Sequence, residues 1–120
     1  MAEHNELGKS GEEYAYEYLA NKGFRILEKN WRHNRDEVDL IARHAEYLVI
    51  VEVKTRSTVY FGEPEVFVTR KKQSFMIRAA NAYINYKNIN LETRFDIISV
   101  LISGTRVAIR HIEDAFYPTL

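Results

Sequence analysis

The sequence predicts one mixed α/β domain in which a central mixed sheet is flanked by helices. Three observations carry this expectation. Two stretches repeat their apolar residues at helical spacing, and five others have strand character, in the order α-β-β-β-α-β-β. The third strand is apolar on both sides along most of its length, as a strand covered on both faces must be. A chain of 120 residues fits a single domain, residues 1–120, able to bury a core without disulfides or metals as staples.

The first helix is expected at residues 8–21, where Ala15, Tyr18 and Leu19 recur at helical spacing and Gly23 stops it. Residues 24–32 read as a strand with poor alternation. Residues 37–42 and 47–54 are clearer strands, joined by a short turn near Ala45. Residues 55–65, with Gly62 and Pro64, are turn-rich. Residues 69–86 are helical again, with Thr69 as cap and Met76, Ile77, Ala80, Tyr83 and Ile84 as the apolar stripe. Residues 94–102 and 106–112 form the last two strands, split at Ser103-Gly104.

There is no cysteine, which excludes disulfides and thiolate zinc and favours a cytoplasmic home. Residues 1–10 are polar and show no secretory signal, and the longest apolar run, 47–51, is too short to span a bilayer, so no membrane association is expected. Basic and acidic residues balance at 17 each. A nucleic-acid binder with this balance needs a local basic surface.

Side chains alternate faces along a strand. By that rule Glu37, Asp39 and Ile41 share one face of the second strand, and Leu48, Ile50, Glu52 and Lys54 share one face of the third. If the hairpin loop has two residues, Ala45 and Glu46, then Asp39 lies opposite Glu52 and Glu37 opposite Lys54. If it has four, Asp39 faces Ile50 and Glu37 faces Glu52. Either register brings Asp39, Glu52 and Lys54 together on one face. Opposed carboxylates at the end of an apolar strand repel unless a cation intervenes, and oxygen ligands without sulfur or clustered histidine favour Mg²⁺ or Mn²⁺. With Asp39 and Glu52 as metal ligands and Lys54 placing a water, the chemistry is phosphodiester hydrolysis. A bare surface ion pair between Lys54 and Glu52 or Glu37 is the competing reading. On the residues alone, truncating Asp39 or Glu52 should leave the fold intact or slightly stabilised, because repulsion is relieved.

Glu12 lies at the border of the first helix's apolar stripe, where it either leans over the sheet as a further carboxylate or serves the helix dipole. Gln73 lies within the stripe of the second helix and either reaches the site or is a buried amide satisfied by backbone. Arg32, Arg35, Arg56, Arg70, Lys71 and Lys72 are candidates for a basic rim that grips a phosphate backbone. Trp31, His33, Tyr60 and Phe61 are candidates to stack on bases, though aromatic residues more often pack cores. The four histidines show no ligand spacing.

Gly11-Glu12 with Ala15, Tyr18 and Leu19, then Asn30-Trp31-Arg32, Glu37-Val38-Asp39-Leu40-Ile41, Val51-Glu52-Val53-Lys54-Thr55-Arg56, Phe61-Gly62, Lys72-Gln73 and Arg94-Phe95-Asp96 follow in order. This series resembles the YraN-like bacterial family of the PD-(D/E)XK nuclease superfamily, to which archaeal Holliday-junction resolvases are related. The resemblance spans residues 8–100. It implies a restriction-endonuclease-like α-β-β-β-α-β core, a Mg²⁺ site at Asp39 and Glu52, catalytic roles for Lys54 and Glu12, action on DNA including branched forms, and pairing of two subunits as a homodimer. Two positions depart from the pattern. Val38 stands where the superfamily has proline, and Asp36 where the family has glycine, the latter adding a negative charge near the site or changing the turn. The expectation is therefore a Mg²⁺-dependent, resolvase-like endonuclease, with Glu37 and Gln73 as supporting catalytic candidates. The alternatives are a non-catalytic nucleic-acid-binding module on the same scaffold and a protein-interaction module.

Overall fold

The computed structural model describes residues 9–57 and 68–118. Seven elements follow in the expected order: α1 (Gly11–Asn21), β1 (Arg25–His33), β2 (Asp36–His44), β3 (Tyr47–Ser57), α2 (Arg70–Lys87), β4 (Glu92–Ser103) and β5 (Arg106–Ile112). The strands form one sheet in the order β1-β2-β3-β4-β5. β3 and β4 run parallel and every other pair is antiparallel, so α2 is the crossover between the two central strands. Among the described residues, no helix is long and apolar enough to cross a membrane.

α1 starts later than its apolar spacing suggests. Ser10 is the N-cap: its hydroxyl accepts from the Glu13 N–H, and the Glu13 carboxylate accepts from the Ser10 N–H at 2.7 Å. The helix ends as expected at Gly23, whose φ of 92° suits glycine. Gly11 lies against Thr55 of β3, and a Cβ on Gly11 would overlap that side chain. This close approach seats the first turn of α1 on the end of the central strand. α2 is capped by Thr69, ends at Asn88 with φ 56°, and buries Met76, Ala79, Ala80 and Tyr83 against the sheet.

The two helices cover opposite faces. Ala15, Leu19 and Phe24 pack with Leu40, Ala42, Val49, Val51, Ile98 and Val100. The α2 residues pack with Val38, Ile41, Leu48, Ile50 and Phe95. β3 lies between the two layers, and Leu48 to Val51 have no solvent exposure. Burial on both sides is why its sequence is continuously apolar until Glu52.

Simple alternation fails in the β1–β2 hairpin. Val38 and Leu40 should share a face, yet Val38 belongs to the α2 layer and Leu40 to the α1 layer. In the same way Trp31 packs in the α2 layer, while the Lys29 ammonium lies 3.8 Å from the Tyr16 ring of α1. The pairs Lys29–Leu40 and Trp31–Val38 bracket Asn30 and Asp39. Asn30 has φ 51°, a left-handed conformation that asparagine tolerates, and the hairpin turns over at this point. Glu37 therefore does not share the face of Ile41, as alternation alone had placed it.

Candidate functional site

The β2–β3 hairpin adopts the two-residue loop. His44 pairs with Tyr47, and the ladder runs to Leu40 and Val51. One step further, where Asp39 would face Glu52, the backbone ladder stops. The Asp39 Oδ2 instead accepts a hydrogen bond of 2.7 Å from the Val53 N–H. The face inversion thus swings Asp39 into the plane of the sheet, between the two layers.

Three carboxylates meet there. Glu12 of α1 contacts Asp39 and the Asn30 side chain, and Asp39 also contacts Glu52. Burial raises the pKa of Asp39, only partly offset by the Val53 N–H and the Lys72 charge. Burial and then the Asp39 charge push Glu52 up to about 7. Glu12 is raised by burial and by Asp39. Glu52 Oε1 is buried and has no hydrogen-bond partner. A buried carboxylate oxygen left in this state is costly, and its chemistry suits a hard cation. Among the described residues, no three acidic or histidine side chains are spaced as a ready-made chelate. Asp39 and Glu52 are the two side chains that could hold a hard divalent ion here, and the rest of its shell would have to come from water or substrate oxygen.

Lys54 lies one alternation beyond Glu52 on β3 and is half-buried. The cation the structure sets on Glu52 is Lys72, whose Nζ lies 3.6 Å from Glu52 Oε1. Arg70 and Lys71 are exposed at the start of α2. Arg56 follows on β3 and donates to the Thr55 carbonyl. Arg32 pairs with Glu37 at 3.3 Å, and Arg35 is exposed in the β1–β2 turn. The topology places all six basic residues at the Glu52 end of the sheet. The Gln73 amide donates to the Val68 carbonyl at 3.1 Å, so its resting role is to tie the backbone before α2. Trp31 packs edge-on against Tyr83, and His33 stacks on Trp31. Tyr60 and Phe61 lie outside the described residues.

Asp36 does not load the site with negative charge. It is buried and receives two hydrogen bonds from Arg78, at 3.1 and 2.9 Å, which lock it to α2. Sequence reasoning missed this pair because the partners are far apart in the chain. It also gave no role to Arg94, Asp96 and His111. Arg94 makes two hydrogen bonds to the fully buried Asp96, which also accepts from the Asp114 N–H and lies 2.7 Å from His111 Nε2. Burial opposes ionisation of Asp96, but these partners prevail and hold its pKa below the ordinary value. The available signal was two opposite charges two residues apart in an otherwise apolar strand.

The chain is similar along its length to several bacterial proteins. A UPF0102 protein of Flavobacterium johnsoniae is 50% identical over 98% of each chain. One from Bacteroides thetaiotaomicron is 48% identical and one from Phocaeicola vulgatus 45%, each over 100% of this chain and 99% of its own. The model of the uncharacterised protein family UPF0102 matches residues 11–100, a span that holds Glu12, Asp39, Glu52 and Lys54. With the α-β-β-β-α-β core in place and relatives aligned end to end, the chain belongs to UPF0102, a YraN-like branch of the PD-(D/E)XK superfamily.

Proposed function

We propose that the protein is a metal-dependent endonuclease that hydrolyses phosphodiester bonds in DNA, including branched forms, with Mg²⁺ or Mn²⁺ held by Asp39 and Glu52. The observation that carries this reading is the buried Glu52 Oε1 beside Asp39, which among the described residues has no hydrogen-bond partner and only the Lys72 ammonium at 3.6 Å, at the end of the sheet where Arg32, Arg35, Arg56, Arg70 and Lys71 also lie. A bound divalent ion supplies Lewis acidity to a phosphoryl oxygen and lowers the pKa of water.

The chain's own residues supply the rest. Val53 N–H orients Asp39 and favours its ionised form. Lys54 places the attacking water from the same strand face as Glu52. Glu12, tethered by Asn30, holds a proton or a water at the α1 side of Asp39. Glu37 supports Asp39 from that side, and Gln73 shapes the wall beneath the phosphate. Arg32, Arg35, Arg56, Arg70, Lys71 and Lys72 meet the phosphate backbone. A second copy of the chain would supply the second cut of a branched substrate, and cytoplasmic DNA is the proposed target.

A non-catalytic DNA-binding module is the second reading, favoured by the lack of a ready-made chelate among the described residues. Cleavage of a labelled panel (linear duplex, single strand, flap and four-way junction) by wild type and Lys54→Ala separates the two. Metal-dependent cutting that disappears in Lys54→Ala supports the enzyme. Salt-sensitive binding by both proteins without cutting supports the module.

A further inference from the structure

Lys72 occupies an unusual position for a lysine. It is the third residue of α2, and its N–H is fixed by the Thr69 hydroxyl at 3.1 Å. One turn later on the same helix face lies Met76, which is fully buried on the sheet. The Lys72 side chain is thereby aimed down at β3 rather than out to solvent, and only 35% of it is exposed. A cation here opposes the helix dipole, and so do Arg70 and Lys71, with no acidic residue in the first turn to compensate. What holds the ammonium inward is the acid pair. Its charge stabilises the ionised forms of both Asp39 and Glu52. The contact is nevertheless loose. At 3.6 Å it is an ion pair without a hydrogen bond, and Glu52 Oε1 keeps its lone pairs free.

We infer that Lys72 is a displaceable internal cation, which neutralises the Asp39–Glu52 pair until a divalent ion enters and competes with that ion for the pair. This rests on the metal reading above. With Asp39 and Glu52 engaged in holding a divalent ion, the attraction that draws the Lys72 ammonium inward would be lost, and the added positive charge and the helix dipole would both disfavour its inward position. Lys72 is a positioning residue in this account. Its released ammonium turns towards the basic rim, where substrate phosphate would take the place of Glu52 as its counter-charge. Loading of the ion and capture of the phosphate are thereby coupled through one side chain.

The test is Mn²⁺ binding by calorimetry to wild type, Lys72→Met and Lys72→Arg. Methionine keeps the aliphatic stem and removes the charge. Lys72→Met should bind Mn²⁺ about tenfold or more tightly, because a like charge beside the ion is gone. Lys72→Arg should bind like wild type. A second measurement needs no variant: the Lys72 side-chain resonances should shift and sharpen as Mg²⁺ is titrated into wild type. Equal or weaker Mn²⁺ binding by Lys72→Met, or unchanged resonances at saturation, overturns this inference alone. No Mn²⁺ binding by wild type overturns the metal reading, and this inference with it.

Discussion

The Asp39 carboxylate accepts its hydrogen bond from the Val53 N–H at 2.7 Å, in the place where the β2–β3 backbone ladder has ended. A side chain thus completes the strand pairing, and the two acids of the candidate centre are not equivalent. Removing Asp39 deprives a strand N–H of its acceptor, whereas neutralising Glu52 relieves repulsion and gives up only the loose 3.6 Å ion pair with Lys72. Asp39→Ala should cost about 1–3 kcal/mol, and Glu52→Gln should be neutral or stabilising. Denaturant unfolding in EDTA checks both. The hydrogen bond from Val53 thus makes Asp39→Ala the variant expected to lose stability, in place of the neutral or stabilising effect expected from repulsion alone.

Glu52 predicts a pH dependence of stability. Its pKa is raised on folding from 4.5 to about 7, so between those values the folded protein binds the proton more tightly than the unfolded chain. The contribution is fully present below the unfolded value and is lost as pH rises through about 7. Thermal unfolding in EDTA should therefore show wild type losing stability across this window relative to Glu52→Gln. Asp96 acts with the opposite sign: its depressed pKa gives stability above the ordinary carboxylate range that is lost in acid.

Gly11 fixes the approach of α1 to β3. Gly11→Ala would force its Cβ into Thr55, and overpacking of this kind costs about 1–3 kcal/mol. Thr55→Ala in the same chain should recover most of that loss. Because Glu12 follows directly, the single variant should also weaken Mn²⁺ binding more than the double variant does.

Asp96 provides a structural control. It is fully buried and holds Arg94, His111 and the Asp114 N–H together on the α1 face. Asp96→Ala takes both hydrogen bonds from the buried Arg94 guanidinium and leaves it, among the described residues, only Glu113 at 3.9 Å, which costs about 3–5 kcal/mol. Where the variant stays folded, at low temperature, its Mn²⁺ affinity should match wild type.

Much of this arrangement was legible in the sequence, and the illegible parts have a common cause. The continuous apolar run of β3 marked a strand covered on both faces, and its ending at Glu52 marked the site. The hairpin loop stayed undecided between two and four residues. Ala45 takes φ 56° without the Asn-Gly or Asp-Gly signal that normally announces such a turn. The inversion at Asn30 and Asp39 was visible only as poor alternation in residues 24–32. A single left-handed residue redirects every side chain beyond it, and no local propensity reports which asparagine will do so. Lys72 was legible as a cation at a helix start, but its descent onto Glu52 depends on how α2 packs. The Asp36–Arg78 pair spans 42 residues of chain, a distance at which charge patterning is silent.

The central claim is that Asp39 and Glu52 hold a divalent ion. Mn²⁺ calorimetry on wild type and Glu52→Gln, paired with unfolding in EDTA to show that both are folded, tests it most directly. The account predicts saturable binding at one site in wild type and its loss in a Glu52→Gln protein at least as stable as wild type. Equal Mn²⁺ affinity in the two folded proteins would contradict it.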